Sequence, residues 1–283
     1  MTTIDDVTQQ QRALWSAAAA GWERSGDWFE KNSGGLAEWL CDAAGIRAGM
    51  QVLDVACGSG HPATTAAERV RPGGRVVATD LSPDMVAVTE RTARRLGLDT
   101  VEAHEMDAQA LAFSDATFDA ATCRFGLMFP PDPLKAAAEI RRVLKPGARF
   151  ATAVWDVPAK NPFFTSISAV LAEFVPTPPP DPAAPGPFRL APPGEIERVL
   201  RAAGFDGIRV ETRPITLTYD SLEDYWRIQT DLAAPLRAAL ASLPPDQVAR
   251  LKARVFESLK PHMDGAAVRL AATPICASAV KSS

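Results

Sequence analysis

Residues 51–62, QVLDVACGSGHP, pass from a short apolar, β-branched run into a glycine-rich turn, and the reading of this passage decides the fold. A run of this length, bounded at Gly58, has the look of a buried parallel strand. RVVATD, residues 75–80, is a second run of the same kind. Between them, Pro62 to Val70 is a short helical stretch stopped by Arg71-Pro72-Gly73-Gly74, where a missing donor and free φ end helices. Strand, helix and strand in this order make a β-α-β unit.

Outward from this unit the alternation continues. Ser82-Pro83 offers a capping hydroxyl followed by proline at the first helical position, and Met85, Val86, Thr89, Ala93 and Leu96 carry a helix to Gly97. Asp132-Pro133 repeats the device before a helix over 134–144. Apolar runs near Val101, at Phe118 to Cys123 and at Arg149 to Trp155 supply further strands. The expected core is therefore a Rossmann-like, doubly wound, mostly parallel α/β sheet over residues 45–156, seven-stranded once closing strands at 207–212 and 273–281 are added.

The flanks read differently. Residues 5–44 carry a helical pattern around Leu14, Trp15, Ala18 and Trp22, which glycines at 21, 26, 34 and 35 are expected to break into pieces. Nine of the nineteen residues 176–194 are proline, so this stretch reads as an extended connector. A helix follows at Glu195 to Ala203. Ser221 to His262 is mainly helical and is expected to form a cap inserted before the last strand. The expected organisation is one domain with four parts: an N-terminal helical segment (1–44), the core (45–156), the connector and helix (157–206), and closing strands with the cap (207–283).

Composition limits the functions. A net charge of −4 lacks the positive field that phosphate backbones require, so nucleic acid is not an expected partner. The basic runs at Arg91, Arg94, Arg95 and at Arg141, Arg142 fall in helices and read as solvated faces. Four scattered cysteines, Cys41, Cys57, Cys123 and Cys276, form no C-x-x-C pair; buried free thiols and no metal site are expected. A polar, acidic start and the lack of an 18-residue apolar run point to a cytoplasmic protein without a membrane partner. A homodimer stays open.

In open α/β sheets, ligands sit beyond the carboxyl ends of the strands, which directs attention to Asp54, Gly58 and Gly60. The two glycines let a ligand approach the backbone, although glycine pairs also recur at any sharp strand-to-helix turn. Asp80, about twenty residues on, ends the second strand, where a carboxylate can accept from both hydroxyls of a ribose; its plainer role is a turn or helix cap. Asp107 is a third carboxylate at a strand end, with the same two readings.

With LDVACGSG, VVATDLSPDMV, MDAQALAF, FDAATCRFGLMF and EIRRVLKPGARF in that order, the chain resembles the class I S-adenosylmethionine (SAM)-dependent methyltransferases, in particular their ubiquinone/menaquinone-biosynthesis-type branch (methyltransferase domain 11 or 25). The resemblance implies SAM as cofactor, with S-adenosylhomocysteine as product. It implies that Asp54, Ala56, Gly58 and Gly60 form the loop around the methionine and ribose, and that Asp80 holds the ribose diol. Leu81 and Met85 would contact adenine, Asp107 and Ala108 would recognise its edge, and Arg124 would face the sulfonium side. The segment around Trp15 and Trp22 resembles a flap that closes over SAM. Ala56 stands where the family often has glycine. His61-Pro62 replaces a third glycine, so the dinucleotide pattern G-x-G-x-x-G is not met, which counts against NAD.

Methyl transfer needs alignment of nucleophile, methyl carbon and sulfur, and a base only where the acceptor arrives protonated. Weak candidates for that base are His61, His104 and His262. Phe125, Met128, Phe129, Trp155 and Trp226 are expected to line the pocket of a small, largely apolar acceptor. Two other functions fit the same fold: a protein binding SAM without transferring its methyl group, as a regulator, cyclase or isomerase, and a nicotinamide-dependent oxidoreductase.

Overall fold

The computed structural model describes residues 3–175 and 181–282. The chain opens with α1 (Ile4–Asn32) and α2 (Leu36–Ala43), then alternates β1 (Gln51–Val55), α3 (Ala63–Val70), β2 (Arg75–Asp80), α4 (Pro83–Arg95) and β3 (Val101–Glu105). It returns through β4 (Phe118–Arg124), α5 (Pro133–Val143), β5 (Leu144–Trp155), α6 (Pro162–Leu171), α7 (Glu195–Ala202) and β6 (Asp206–Thr212). An excursion of β7 (Ile215–Tyr219), α8 (Leu222–Leu232), α9 (Ala234–Ala241), α10 (Pro245–Leu259), β8 (Met263–Asp264) and β9 (Ala267–Ala272) precedes the last strand, β10 (Pro274–Val280).

Seven strands form one sheet in the order β3-β2-β1-β4-β5-β10-β6. β1 pairs in parallel with both β2 and β4, while β10 runs antiparallel to β5 and β6. The doubly wound expectation holds, including the insertion before the last strand. Alternate side chains explain the two covered faces. Val52, Val76, Ala78, Ala120 and Ala151 pack with Leu36 and Leu40 of α2 and with Ala66, Val70 and Ala93 of α3 and α4. Leu53, Val55, Val77, Ala121 and Phe150 turn the other way, onto Ile140 of α5 and Val199 and Leu200 of α7.

The helix starts follow the sequence. Ser82 Oγ accepts from Met85 N at 3.2 Å and Asp132 Oδ1 from Lys135 N at 3.0 Å, each before a proline in the first turn.

One expectation fails. Gly21 and Gly26 do not break α1, which runs unbroken over 29 residues and ends before Gly34 and Gly35. Their role is close approach: a Cβ on Gly21 would lie 1.9 Å from the Asp231 carbonyl oxygen, and one on Gly26 would lie 2.9 Å from the Ser59 side chain. Ser221 to His262 is helical as expected, in α8, α9 and α10, and around it β7, β9 and β8 form a second, three-stranded antiparallel sheet. The alternation of ITLTY and AVRLAA carries that signal. The basic residues of α4 lie on an exposed face as expected, and two of them also tie α4 to α1: Arg91 pairs with Glu23 and Arg95 with Asp27. Part of the proline-rich connector, residues 176–180, lies outside the described residues.

Candidate functional site

The chain leaves β1 toward β2 and β3, then crosses back to β4, so strand order reverses between β1 and β4 and their carboxyl ends diverge there. A cavity of about 500 Å³ opens at that point. Its walls come from the loops after β1, β2, β3 and β4, from α1 above, and from α6 and the excursion at the far end.

The first wall is the turn Ala56-Cys57-Gly58-Ser59. Ala56 adopts φ 57°, a left-handed conformation that costs a non-glycine residue of order 1 kcal/mol. Its methyl group is locked in place by the neighbouring loop: a Cβ on Gly126 would come 2.4 Å from Ala56 Cβ and 2.8 Å from Cys123 Sγ. The two loops interlock because residue 126 lacks a side chain. Gly58 (φ 54°) faces open space, with nothing within 4 Å of where its Cβ would stand, whereas Gly60 (φ 101°) has Thr92 at 3.4 Å. Gly60 therefore shapes the turn from behind and does not line the cavity, while Gly58 does.

Asp80 anchors this turn. Its Oδ2 accepts from Gly58 N and its Oδ1 from Ser82 N, both at 3.0 Å, so the turn role and a ligand-facing role coexist in one carboxylate. Burial pushes its pKa up to about 6, against the lowering effect of these amides. Asp54 lies beneath the cavity, fully buried, with Thr122 Oγ1 donating to Oδ1 at 2.7 Å and Oδ2 without a hydrogen-bond partner among the described residues. Burial raises it to about 7. Leu81, Met85, Asp107 and Ala108 line the same end as Asp80. Asp107 Oδ1 holds the amide of Gln109 at 2.8 Å, which fixes the loop after β3.

The opposite end is aromatic. Phe125, at φ 57° just past β4, stacks on Trp155 with centroids 3.9 Å apart and planes 8° apart. Phe29, Phe163 and Phe164 surround that pair edge-on or tilted. Met128 and Phe129 continue the wall, as do Trp22 and Trp28 of α1 and Tyr219 and Gln229 of the excursion. Gln229 Nε2 donates to Tyr219 Oη at 3.0 Å. Between the two ends stands a charged group: Arg124 donates to Glu30 Oε2 at 2.5 Å, and that same oxygen lies 3.8 Å from His61 Nδ1.

Besides Asp54 and Gly60, which lie behind the cavity wall, three expected site residues fall elsewhere. His104 is exposed on β3 beside Glu102, because its side chain leaves an edge strand on the solvated face. His262 follows α10 and is not among the cavity residues. Trp226 points from α8 toward Lys252, whose Nζ lies 5.9 Å from its ring centre, and also stays outside the cavity. Glu30 was not anticipated at all; its partners lie 31 and 94 positions away, beyond any local pattern. Gln229 was not anticipated either, and Tyr219 lies on β7, outside the stretch expected to be helical.

The cavity suits a nucleoside-bearing cofactor. The open cradle above Gly58 adjoins a buried carboxylate with acceptor capacity to spare and an apolar floor of Leu81 and Met85. Among the described residues no three His, Cys, Asp or Glu side chains gather as for a metal ion, and no helix is long and apolar enough to cross a membrane.

Known proteins agree with this arrangement. Residues 52–147 match a family model described as a methyltransferase domain. An uncharacterised protein of Mycobacterium tuberculosis is 35% identical over 178 residues, 62% of each chain, so the match spans less than two thirds of that relative. Nocamycin O-methyltransferase of Saccharothrix syringae is 31% identical over 239 residues, covering 81% of this chain and 85% of that enzyme. The YcgJ protein of Bacillus subtilis shares the fold with a TM-score of 0.60 at 20% identity, over 87% of this chain and 98% of that one. The ordered motifs, the sheet with its antiparallel last strand, and a relative matched over most of its length place this chain in the family of class I SAM-dependent methyltransferases.

Proposed function

We propose that this chain transfers the methyl group of SAM to a small, largely apolar metabolite by in-line displacement. The observation that supports this most directly is the division of one cavity into a carboxylate-bearing end at Asp80 and Asp107 and an aromatic end at Phe125, Trp155 and Trp28. SAM brings a methyl group already activated on a positively charged sulfur, and the protein's part is to hold, aim and keep water away.

In this reading Asp80 accepts from the ribose hydroxyls, Leu81 and Met85 pack on the adenine, and Asp107 with Ala108 meets its edge. Gly58 leaves the backbone open to the methionyl part, and Asp54, out of the cavity, stiffens the strand end through Thr122. Arg124 is paired with Glu30, so among the described residues it is not free to meet an anionic acceptor. Its apolar walls favour a neutral ring system or chain, with orientation set by few polar groups.

Calorimetry with SAM and S-adenosylhomocysteine, followed by a metabolite extract incubated with labelled SAM and read by mass spectrometry, tests the proposal. Binding of both ligands and label in an apolar product is the expected result. Binding without any labelled product would favour a protein that uses SAM as a structural or regulatory ligand. A fluorescence response to NADH instead of SAM would favour an oxidoreductase.

A further inference from the structure

The aromatic half of the cavity contains few groups able to move a proton. Tyr219 spends its oxygen on Gln229, and burial raises its pKa well above the ordinary value. Asp80 and Asp107 stand at the other end. The thiols of Cys57 and Cys123 also line the cavity, but burial raises the pKa of both, Cys123 to about 12; among the described residues that leaves His61, with 11% of its side chain exposed.

Its surroundings select one tautomer. Nδ1 lies 2.8 Å from Thr64 Oγ1 and 3.8 Å from the Glu30 carboxylate. A negative charge on that side favours the proton on Nδ1, with Thr64 Oγ1 accepting it, and this leaves the lone pair on Nε2. Nε2 makes no hydrogen bond among the described residues, and it is not one of their fully enclosed polar atoms. Since His61 is a lining residue of the cavity, an unbonded Nε2 is the ring nitrogen left for a ligand there.

The charged groups around the ring are Glu30 and Asp27 of α1, Arg124 at the end of β4 and Arg95 of α4. Burial, the largest influence, lowers the pKa of the ring, the two arginines act with it, and the two carboxylates oppose it. The resting imidazole is neutral at pH 7.

We propose that His61 is the general base of the transfer and that the acceptor atom is a hydroxyl oxygen, phenolic or enolic, on an otherwise apolar molecule. The proposal rests on the methyltransferase reading above. As the hydroxyl O–H bond breaks, Nε2 takes the proton and the oxygen keeps the electron pair. That pair forms the new bond to the methyl carbon, while the pair of the carbon–sulfur bond stays on sulfur. The positive charge lost from sulfur reappears on the ring, 3.8 Å from Glu30, and the proton then leaves to water. Glu30 acts as a positioning residue through the ring, and its pairing with Arg124 holds it there.

The test compares His61→Asn with the native protein, using 2-naphthol and 2-naphthalenethiol as acceptors. The thiol ionises near neutrality without help, so only the naphthol needs a base. The native protein is expected to methylate both, and the variant to lose about 100-fold or more on naphthol while staying within about threefold on the thiol and on SAM affinity. Native turnover of naphthol should rise with pH through the lowered His61 pKa, and that limb should vanish in the variant. A second readout needs no turnover: nitrogen-15 NMR of the three histidines should show His61 neutral and protonated on Nδ1 at pH 7, with Glu30→Gln shifting the tautomer.

Equal losses on the two acceptors, a proton resting on Nε2, or a native protein that binds SAM yet methylates only the thiol or neither probe would each overturn the assignment. A protein that binds no SAM at all removes the reading beneath it, and calorimetry separates that case from the others.

Discussion

Asp80 shows how one side chain can be both scaffold and ligand. Each oxygen already accepts a backbone amide at 3.0 Å, and a carboxylate has further lone pairs for two ribose hydroxyls. Asp80→Ala is expected to weaken SAM binding by roughly 2–4 kcal/mol, through two lost charge-assisted bonds and a loosened Gly58 turn. Calorimetry on the folded variant checks this; unchanged affinity would return Asp80 to a purely structural role. The residues at strand ends were legible because glycine and aspartate after β1 and β2 have few reasons to stand there. Glu30 was not legible, because its meaning comes from Arg124, brought beside it only by the folded sheet. His61, His104 and His262 look alike along the chain, and only burial and neighbours separate them.

Among the elements, α1 carries the most consequence. Arg12 pairs with Glu105, Ser16 Oγ meets Ser82 Oγ at 2.9 Å, and Ser25 Oγ donates to Asp231 at 2.9 Å, so the helix is fastened to β3, α4 and α8 along its length. Gly21 sets how closely it approaches α8. Gly21→Ala would drive a methyl group into the Asp231 carbonyl, and a loss of about 1–3 kcal/mol is expected, seen as a lowered thermal midpoint. Adding SAM is expected to slow hydrogen exchange in residues 10–30, since α1 roofs the cavity and a ligand beneath it supplies contacts on its inner face. Equal exchange with and without SAM would make α1 a fixed roof instead of a closing flap. Glycine reads locally as a helix breaker, and that rule failed here because tertiary proximity outweighs a propensity cost of about 1 kcal/mol. The core elements were legible from their periods, whereas β7 and β9, short strands separated by about fifty residues, pair only through contacts at long range.

At the scale of the whole molecule, two buried acids tie stability to pH. Burial raises Asp54 to about 7 and Asp80 to about 6, so between about pH 4 and pH 7 the folded chain holds protons that the unfolded chain has released. Their contribution is complete below pH 4 and is lost as pH rises through 6 and 7. The ligand-free protein is therefore expected to melt at a higher temperature at pH 5 than at pH 8, and Asp54→Asn to flatten that slope. Asp119 and Glu139, lowered by Lys145 and Arg142, act in the opposite sense only nearer pH 4 and below. The doubly wound architecture and the insertion before the last strand were readable because each strand and helix announces itself locally, but the pairing of β7 with β9 inside the insertion was not. The insertion, residues 213–273, returns to its own starting point: Thr212 and Ile275 are register partners, and Arg213 N donates to Pro274 O at 3.0 Å. Topologically these sixty or so residues are the oversized tip of the β6–β10 hairpin. Because this tip also packs on α1 and, through Ala234, on Met85, the part that walls the far end of the cavity is mechanically joined to the part that would hold the cofactor.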